Sequence, residues 1–366
     1  MFIILTILIS VFSSTLHAIG EVKEVSSSLE AYGYDKVHKD ISSRTNQPVG
    51  IVIIAFNRPH YFKRLIESLE KNAESQTLPF YFILDGGPRA KQKENVDIIN
   101  QSSIKHKEII LRGRNYGYAK TVIDTYRFMF DWCGFKKIIF FEEDLTVSPY
   151  YISLTLNLHE WATSNYSNVG IVSCWSYCFL SKEEKKTKLA LVQSPPKQYW
   201  WSFVTYCLAS NVWNDTKPLL YGYEKFIDKV PHTEKYAKAR SVTDVWEGAP
   251  KIRAWVRNLC LKKVQINKKF PMLQFRTQQG KAIFPCLNIY KDISAYFCSA
   301  GSFGVNEDRI MAFSLWMKGY IKIETVVNRA RHIGEVGVTG THYNSIKTNV
   351  DTFDEDKNLK DFLPLI

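Results

Sequence analysis

Three consecutive acids, Glu142-Glu143-Asp144, follow the apolar run Ile138-Ile139-Phe140-Phe141. Side chains alternate along an extended chain, so Glu142 and Asp144 are expected on one side and Glu143 on the other. Three carboxylates this close repel one another unless positive charge sits among them. A divalent cation with oxygen ligands, itself gripping a diphosphate, would supply that charge. The plainer reading is a solvated acidic turn, but the apolar run directly before it argues against full exposure.

The surrounding pattern decides what company these acids keep. Gly50 to Phe56 is a continuous apolar run, as expected of a strand buried on both faces. His60 to Asn72 carries Phe62, Leu65, Ile66 and Leu69 at helical spacing. A strand at 80–84, a charged helical stretch to Asn100, a short strand at 108–111, a helix over 118–132 and a strand at 137–141 follow. Strand and helix alternating over about a hundred residues predict an α/β fold whose mostly parallel sheet is flanked by helices. Ligands of such sheets bind beyond the carboxyl ends of the strands. Asn57-Arg58, Asp85-Gly86, Arg112 to Asn115 and Glu142 to Asp144 therefore share a destination. Singly, each has a plain structural reading: Asn57 as the cap of the next helix, Asp85-Gly86 as an ordinary turn.

Beyond Pro149 the sequence predicts a helix over 150–161, a strand over 169–174 and an aromatic-rich half of mixed α/β character. There Tyr199-Trp200-Trp201-Ser202-Phe203 and Tyr206 stand out. A last helix carries Ile310, Phe313 and Met317, with Asn306 as its N-cap and Glu307 and Asp308 in its first turn.

A chain of 366 residues with 45% hydrophobic and 23% charged side chains is globular, which excludes a disordered tail or a polytopic membrane protein. The net charge of +12 favours anionic ligands. Nucleic acid is not the expected partner, because no zinc, helix-turn-helix or RNA-recognition signature is present, and the phosphate-loop motif of ATPases is absent too. Residues 1–20 are an apolar stretch ending in small and polar residues, read as a signal peptide or a signal anchor, hence a possible single N-terminal membrane anchor. Residues 21–48 read as a stem or linker. The expected setting is a secretory lumen, Golgi or ER. Seven cysteines, at 133, 174, 178, 207, 260, 286 and 298, lack paired zinc-site spacing, and their pairing stays open. Asn100, Asn165 and Asn214 head glycosylation sequons.

Four pieces between Pro48 and Pro149 occur in a recognisable order: Ile54-Ala55-Phe56-Asn57-Arg58-Pro59, Leu84-Asp85-Gly86-Gly87-Pro88-Arg89, Arg114-Asn115-Tyr116-Gly117, and Phe141-Glu142-Glu143-Asp144-Leu145-Thr146-Val147-Ser148-Pro149. Together they resemble the Rossmann-like GT-A glycosyltransferases, in particular those similar to N-acetylglucosaminyltransferase I and bacterial family 2-like sugar transferases. The resemblance implies a nucleotide-sugar-binding half over 49–150, an acceptor-binding and catalytic half over 151–345, and a C-terminal tail over 346–366. It implies Mn²⁺ or Mg²⁺ as cofactor and a nucleotide-sugar donor, a UDP-sugar foremost. The activity implied is an inverting hexosyl- or N-acetylhexosaminyl-transfer to a hydroxyl of a glycan or glycoconjugate. Asp144 inherits the metal-ligand role, with Glu142 and Glu143 beside the donor; the family's middle acid is commonly Asp. Asn57 and Arg58 would border the nucleotide, Asp85 would hold its base or ribose, and Arg114 and Asn115 would lie near the base or diphosphate. Tyr199 to Phe203 would line the acceptor side. Asp308, or else Glu307, would be the catalytic base, and His332 or His342 would complete the metal shell. A non-catalytic carbohydrate-binding or scaffold protein on the same fold is the alternative.

Overall fold

The computed structural model describes residues 22–24, 36–38, 48–176, 180–193, 203–230, 247–266, 306–334 and 350–364. The N-terminal apolar stretch, Tyr199 to Ser202, His342, Cys178, Cys286 and Cys298 lie outside the described residues. No helix among the described residues is long and apolar enough to cross a membrane.

Strands β1 (Val22–Glu24), β2 (Lys36–His38), β3 (Val49–Ala55), β4 (Pro79–Leu84), β5 (His106–Leu111) and β6 (Lys137–Glu142) form the first part of one sheet. Within the stretch read as a stem, β1 is the edge strand, antiparallel to β2, which in turn lies antiparallel against β5. The predicted apolar runs are β3 to β6, paired in the order β5-β4-β3-β6 and all parallel. Their alternate residues enter two cores. Val52, Ile54 and Ile83 face one side with helices α3 (Tyr118–Tyr126) and α6 (Ser210–Ile227). Ile51, Ile53, Phe80 and Phe82 face the other with α1 (Pro59–Leu69) and α4 (Tyr151–Asn165). Both faces being covered is why these strands read as unbroken apolar runs. The α/β class with a mostly parallel, helix-flanked sheet is therefore observed as expected.

The second half extends the sheet with β8 (Val169–Ser173), β9 (Leu191–Gln193), β10 (Thr205–Ala209), β11 (Ile321–Thr325) and β13 (Leu363–Pro364). Strand β10 runs antiparallel between β6 and β8, so β6 and β8 point the same way, and β11 lies parallel beside β8. The carboxyl ends of β3 to β6, β8 and β11 therefore share one rim. A separate ribbon pairs β7 (Leu145–Val147) with β12 (Ala330–His332), antiparallel. The remaining helices are α2 (Gln92–Gln101), α5 (Lys182–Thr187), α7 (Ala249–Ile266) and α8 (Glu307–Lys318), the last packed on α6. The helix expected over 118–132 is α-helical only to Tyr126 and continues as a π-helical stretch over Arg127–Trp132.

One buried ionic brace joins these elements behind the rim. The guanidinium of Arg112, just after β5, donates to Asp124 on α3 at 2.6 Å and to Thr121 at 2.9 Å. Asp124 also receives Lys120 at 2.8 Å and Arg127 at 3.0 Å, and both cations reach Glu224 on α6. Arg112 and Asp124 side chains are wholly buried. Removing one partner of such a pair strands the other in a medium that cannot solvate it. Asp124→Ala is expected to lower unfolding free energy by about 3–5 kcal/mol, read from urea denaturation midpoints.

Candidate active site

The site is assembled where β3, β4 and β6 end. Arg58 directly follows the Phe56-Asn57 turn and directly precedes Pro59, the first residue of α1, so the helix start fixes where its side chain departs. Arg58, not Asn57, occupies the cap position, and no side chain caps this helix. The expected capping role of Asn57 therefore fails, and the residue is half-buried in the turn. Arg58 Nε lies 2.6 Å from Glu143 Oε1, and Nη1 lies 2.7 Å from Asp144 Oδ2. The Phe56 amide donates to Glu143 Oε2 at 2.8 Å. Burial pulls the Arg58 guanidinium down, but Asp144 and Glu143 more than offset it and hold it above its ordinary range.

The alternation expected along 142–144 ends with the strand at Glu142, because residues 143 and 144 form a turn. Glu143 consequently does not point away; it and Asp144 share Arg58. Asp144 is 2% exposed, and His332 Nε2 approaches its Oδ2 at 3.2 Å. The β7–β12 ribbon brings that histidine across, with Leu145 opposite His332 and the Ile333 amide donating to the Asp144 carbonyl at 2.8 Å. Burial lowers the His332 pKa against the pull of Asp144, which keeps the imidazole neutral and able to ligate.

Glu142, Asp144 and His332 offer ligand atoms that all lie within 4.8 Å of one another. Asp144 Oδ1 is buried and has no hydrogen-bond partner. A Cβ on Gly334 would overlap Asp144 Oδ2 and lie 2.8 Å from His332 Cε1, so glycine keeps the space over the acid open. Two carboxylates and an imidazole suit Mn²⁺, and these residues fit such an ion. Glu142 also accepts from the Tyr118 hydroxyl at 2.6 Å. Burial, then the charges of Asp144 and Asp308, push the Glu142 carboxyl well above its usual range.

Asp85 stands at the end of β4, nearly buried, where its Oδ1 receives the amides of Gly86 at 3.1 Å and Tyr116 at 3.2 Å. Arg112 Nε is 4.0 Å away. Burial raises the Asp85 pKa, with Arg112 and these amides opposing it. A Cβ on Gly86 would run into the Arg112 carbonyl, so that close approach of the two turns requires glycine. Asn115 Oδ1 accepts the Gly117 amide at 2.8 Å, which shapes the turn. Arg114 is exposed, its guanidinium 4.5 Å from the centre of the Tyr116 ring.

Glu307 and Asp308 occupy the first turn of α8, capped as expected by Asn306, whose Oδ1 receives the Arg309 amide. Burial pushes the Asp308 carboxyl up to about 7, against the charges of Lys322 and Arg309. Helix α8 packs on α3, which Tyr118 begins, and the charges of Asp308 and Glu307 help to raise the pKa values of Glu142, Tyr118 and Tyr126. Of the aromatic segment only Phe203 is described, and it is a core residue packed on Tyr206. Tyr118, Gly334 and Lys322 were not singled out by sequence reasoning. Tyr118 directly follows the Arg-Asn-Tyr-Gly run, and that adjacency was the available signal; the other two carry none.

No protein-family model matches the chain. No curated protein matches it either. Solved structures similar to it include the 1–349 portion of S. aureus TarS, at 7% identity and a TM-score of 0.37 over 60% of this chain and 66% of that one. A mannosyltransferase from Pyrobaculum calidifontis in complex with GDP-Man and Mn²⁺ is similar at 12% identity and a TM-score of 0.35, covering 73% of this chain and 75% of that one. Glucosyl-3-phosphoglycerate synthase from Mycobacterium tuberculosis, in complex with Mg²⁺ and UDP, gives 8% identity and a TM-score of 0.29 over 54% and 64%. The chain spans just under two thirds of the first of these.

Gly334→Ala places a methyl group against the Asp144 carboxylate. Its Mn²⁺ affinity, measured by titration calorimetry, is expected to fall roughly 10–100-fold, the usual cost of disturbing the surroundings of a ligand.

Proposed function

We propose that the chain is a metal-dependent glycosyltransferase of the GT-A type. It moves a sugar from a nucleoside-diphosphate sugar, with UDP-sugars the first donors to try, to a hydroxyl of a glycan or glycoconjugate, inverting the anomeric carbon. The observation that carries this reading is the meeting of Glu142, Asp144 and His332 on the rim where Asp85 and the first turn of α8 also lie. Asp144 and His332, with Glu142, would hold the cation. When bound, it compensates charge developing on the departing diphosphate.

The chain's own residues do the rest. Asp85 and the turn over 112–116 offer a carboxylate, amides and an aromatic face to the nucleoside, with Asn57, Arg114 and Asn115 at the border. Arg58 holds Glu143 and Asp144 in place through its contacts at 2.6 and 2.7 Å. On the acceptor side, Asp308 takes the hydroxyl proton as that oxygen bonds to the anomeric carbon and the carbon–oxygen bond to the diphosphate breaks. Glu307 is the second choice for that base. Fixed charges and positioning supply the barrier lowering. The N-terminal apolar stretch supports a secretory-lumen setting, and disulfide-bonded Cys260 suits one.

Purified protein assayed for Mn²⁺-dependent release of UDP or GDP from a donor panel, with and without acceptors, tests the reading. Asp144→Asn is expected to abolish the cation dependence together with turnover; unchanged turnover would overturn the metal assignment. Glycan binding without donor turnover would favour the binding-protein alternative. Asp308→Asn is expected to cost about 10²–10⁴ in kcat. The base acts deprotonated and titrates near 7, so kcat/KM should rise with pH to about 7 and then level. A profile left unchanged by Asp308→Asn would remove Asp308 from the role.

A further inference from the structure

Arg329 is wholly buried three residues before His332, and its side chain bonds in three directions. It grips Asp356 with two contacts, Nε to Oδ2 at 3.0 Å and Nη2 to Oδ1 at 2.6 Å. It also donates to the carbonyls of Val327 at 2.7 Å and Leu189 at 3.0 Å. Its backbone is tied as well: the amide donates to the Cys174 carbonyl and the carbonyl accepts from Ser148, both at 2.8 Å. Arg329 is thus the point where the end of β8, the end of β7 and the C-terminal segment 350–364 converge.

Strand β12 has three residues and, among the described residues, pairs with one strand, β7. A two-stranded ribbon is marginal by itself, and a slip of one residue turns every side chain to the opposite face. His332 reaches Asp144 only in the observed register. One end of the ribbon is fixed by the Ile333 amide on the Asp144 carbonyl, the other by Arg329. Asp356 holds that second anchor from 27 residues away. Its own segment is docked independently, by Asn157 on the Leu359 carbonyl at 3.0 Å, by β13 on β9, and by Phe362 against Trp161.

We infer that Asp356 is a positioning residue for the cation site: through Arg329 it sets the register of β12 and so presents His332 to Asp144. This rests on the cation reading of Glu142, Asp144 and His332 given above. The rival is that the pair merely staples the C-terminal segment. The two differ in what happens to Mn²⁺ affinity when the segment is loosened elsewhere.

The test uses the full chain, Mn²⁺ alone as probe, titration calorimetry, thermal melts, and NMR of the His332 imidazole without metal. Asp356→Asn is expected to weaken Mn²⁺ roughly 10–100-fold and to shift the His332 ring resonances. Phe362→Ala loosens the same segment but leaves the pair intact; it is expected to lower the Tm and keep Mn²⁺ affinity within about twofold, because the ribbon's anchor is untouched. Should Asp356→Asn fail to fold, Arg329→Leu/Asp356→Leu leaves no charge stranded and is expected to show the same weakened Mn²⁺ binding. Wild-type affinity in Asp356→Asn or in the double variant overturns the inference, as does a loss in Phe362→Ala equal to that in Asp356→Asn. A wild-type chain that does not bind Mn²⁺ instead overturns the cation reading, and this inference with it.

Discussion

Negative charge gathered at the carboxyl end of β6 is the constraint around which the molecule is organised. A carboxylate withdrawn from water either finds compensating partners or takes up a proton. Glu143 and Asp144 are almost wholly buried, and their compensation comes from chain segments far apart in sequence. Arg58 arrives from the end of β3, the Phe56 amide from the same turn, and His332 from the ribbon that β12 makes with β7. Parallel pairing of β3 with β6 is what sets Arg58 opposite the acids. Each of these elements has an ordinary packing reason to exist, but their meeting point is dictated by the need to neutralise two carboxylates.

The same principle recurs farther from the rim. Arg112 and Asp124 neutralise each other beneath Asp85, Lys322 and Glu324 form a buried pair at 3.1 Å on β11, and Arg329 and Asp356 lock the C-terminal segment. Such pairs contribute little net stability compared with apolar replacements, since desolvation consumes most of the attraction. What they impose is a unique arrangement: the Arg329 guanidinium alone ties Asp356, the Val327 carbonyl and the Leu189 carbonyl together. A chain with so many long-range ionic ties has few ways to slide one layer over another.

The strands of the first half were legible because burial on both faces leaves an unbroken apolar signature, as in β3 and β6. The second half was less so, for identifiable reasons. Strand β11 contains Lys322 and Glu324, whose mutual neutralisation is invisible until the strand is built, and β10 is five residues long with nothing to separate it from the helix that follows. The π-helical stretch over Arg127–Trp132 satisfies its hydrogen bonds one residue farther along and leaves no compositional mark. Among site residues, charge crowding marked Glu142 to Asp144 as a place for a cation, and the resemblance gave Asp144 the ligand role and set Glu142 beside the donor. Alternation misplaced Glu143, since a turn begins where the strand was assumed to continue. Arg58 was read as a border residue, whereas its side chain turns inward onto two acids. His332 carried no local signal, since its role depends on a ribbon pairing that spans nearly two hundred residues.

Strand β10 enters against the direction of both its neighbours, and this has a practical corollary. Every other long strand ends at one rim, and Glu142, Asp144 and His332 meet there rather than at the opposite rim. At that opposite rim the turn at Gly134 adopts a left-handed conformation, and nothing lies within 4 Å of where a side chain would begin. A fluorophore, affinity tether or inserted peptide attached on that side would report on the molecule from behind, leaving Glu142, Asp144 and His332 undisturbed.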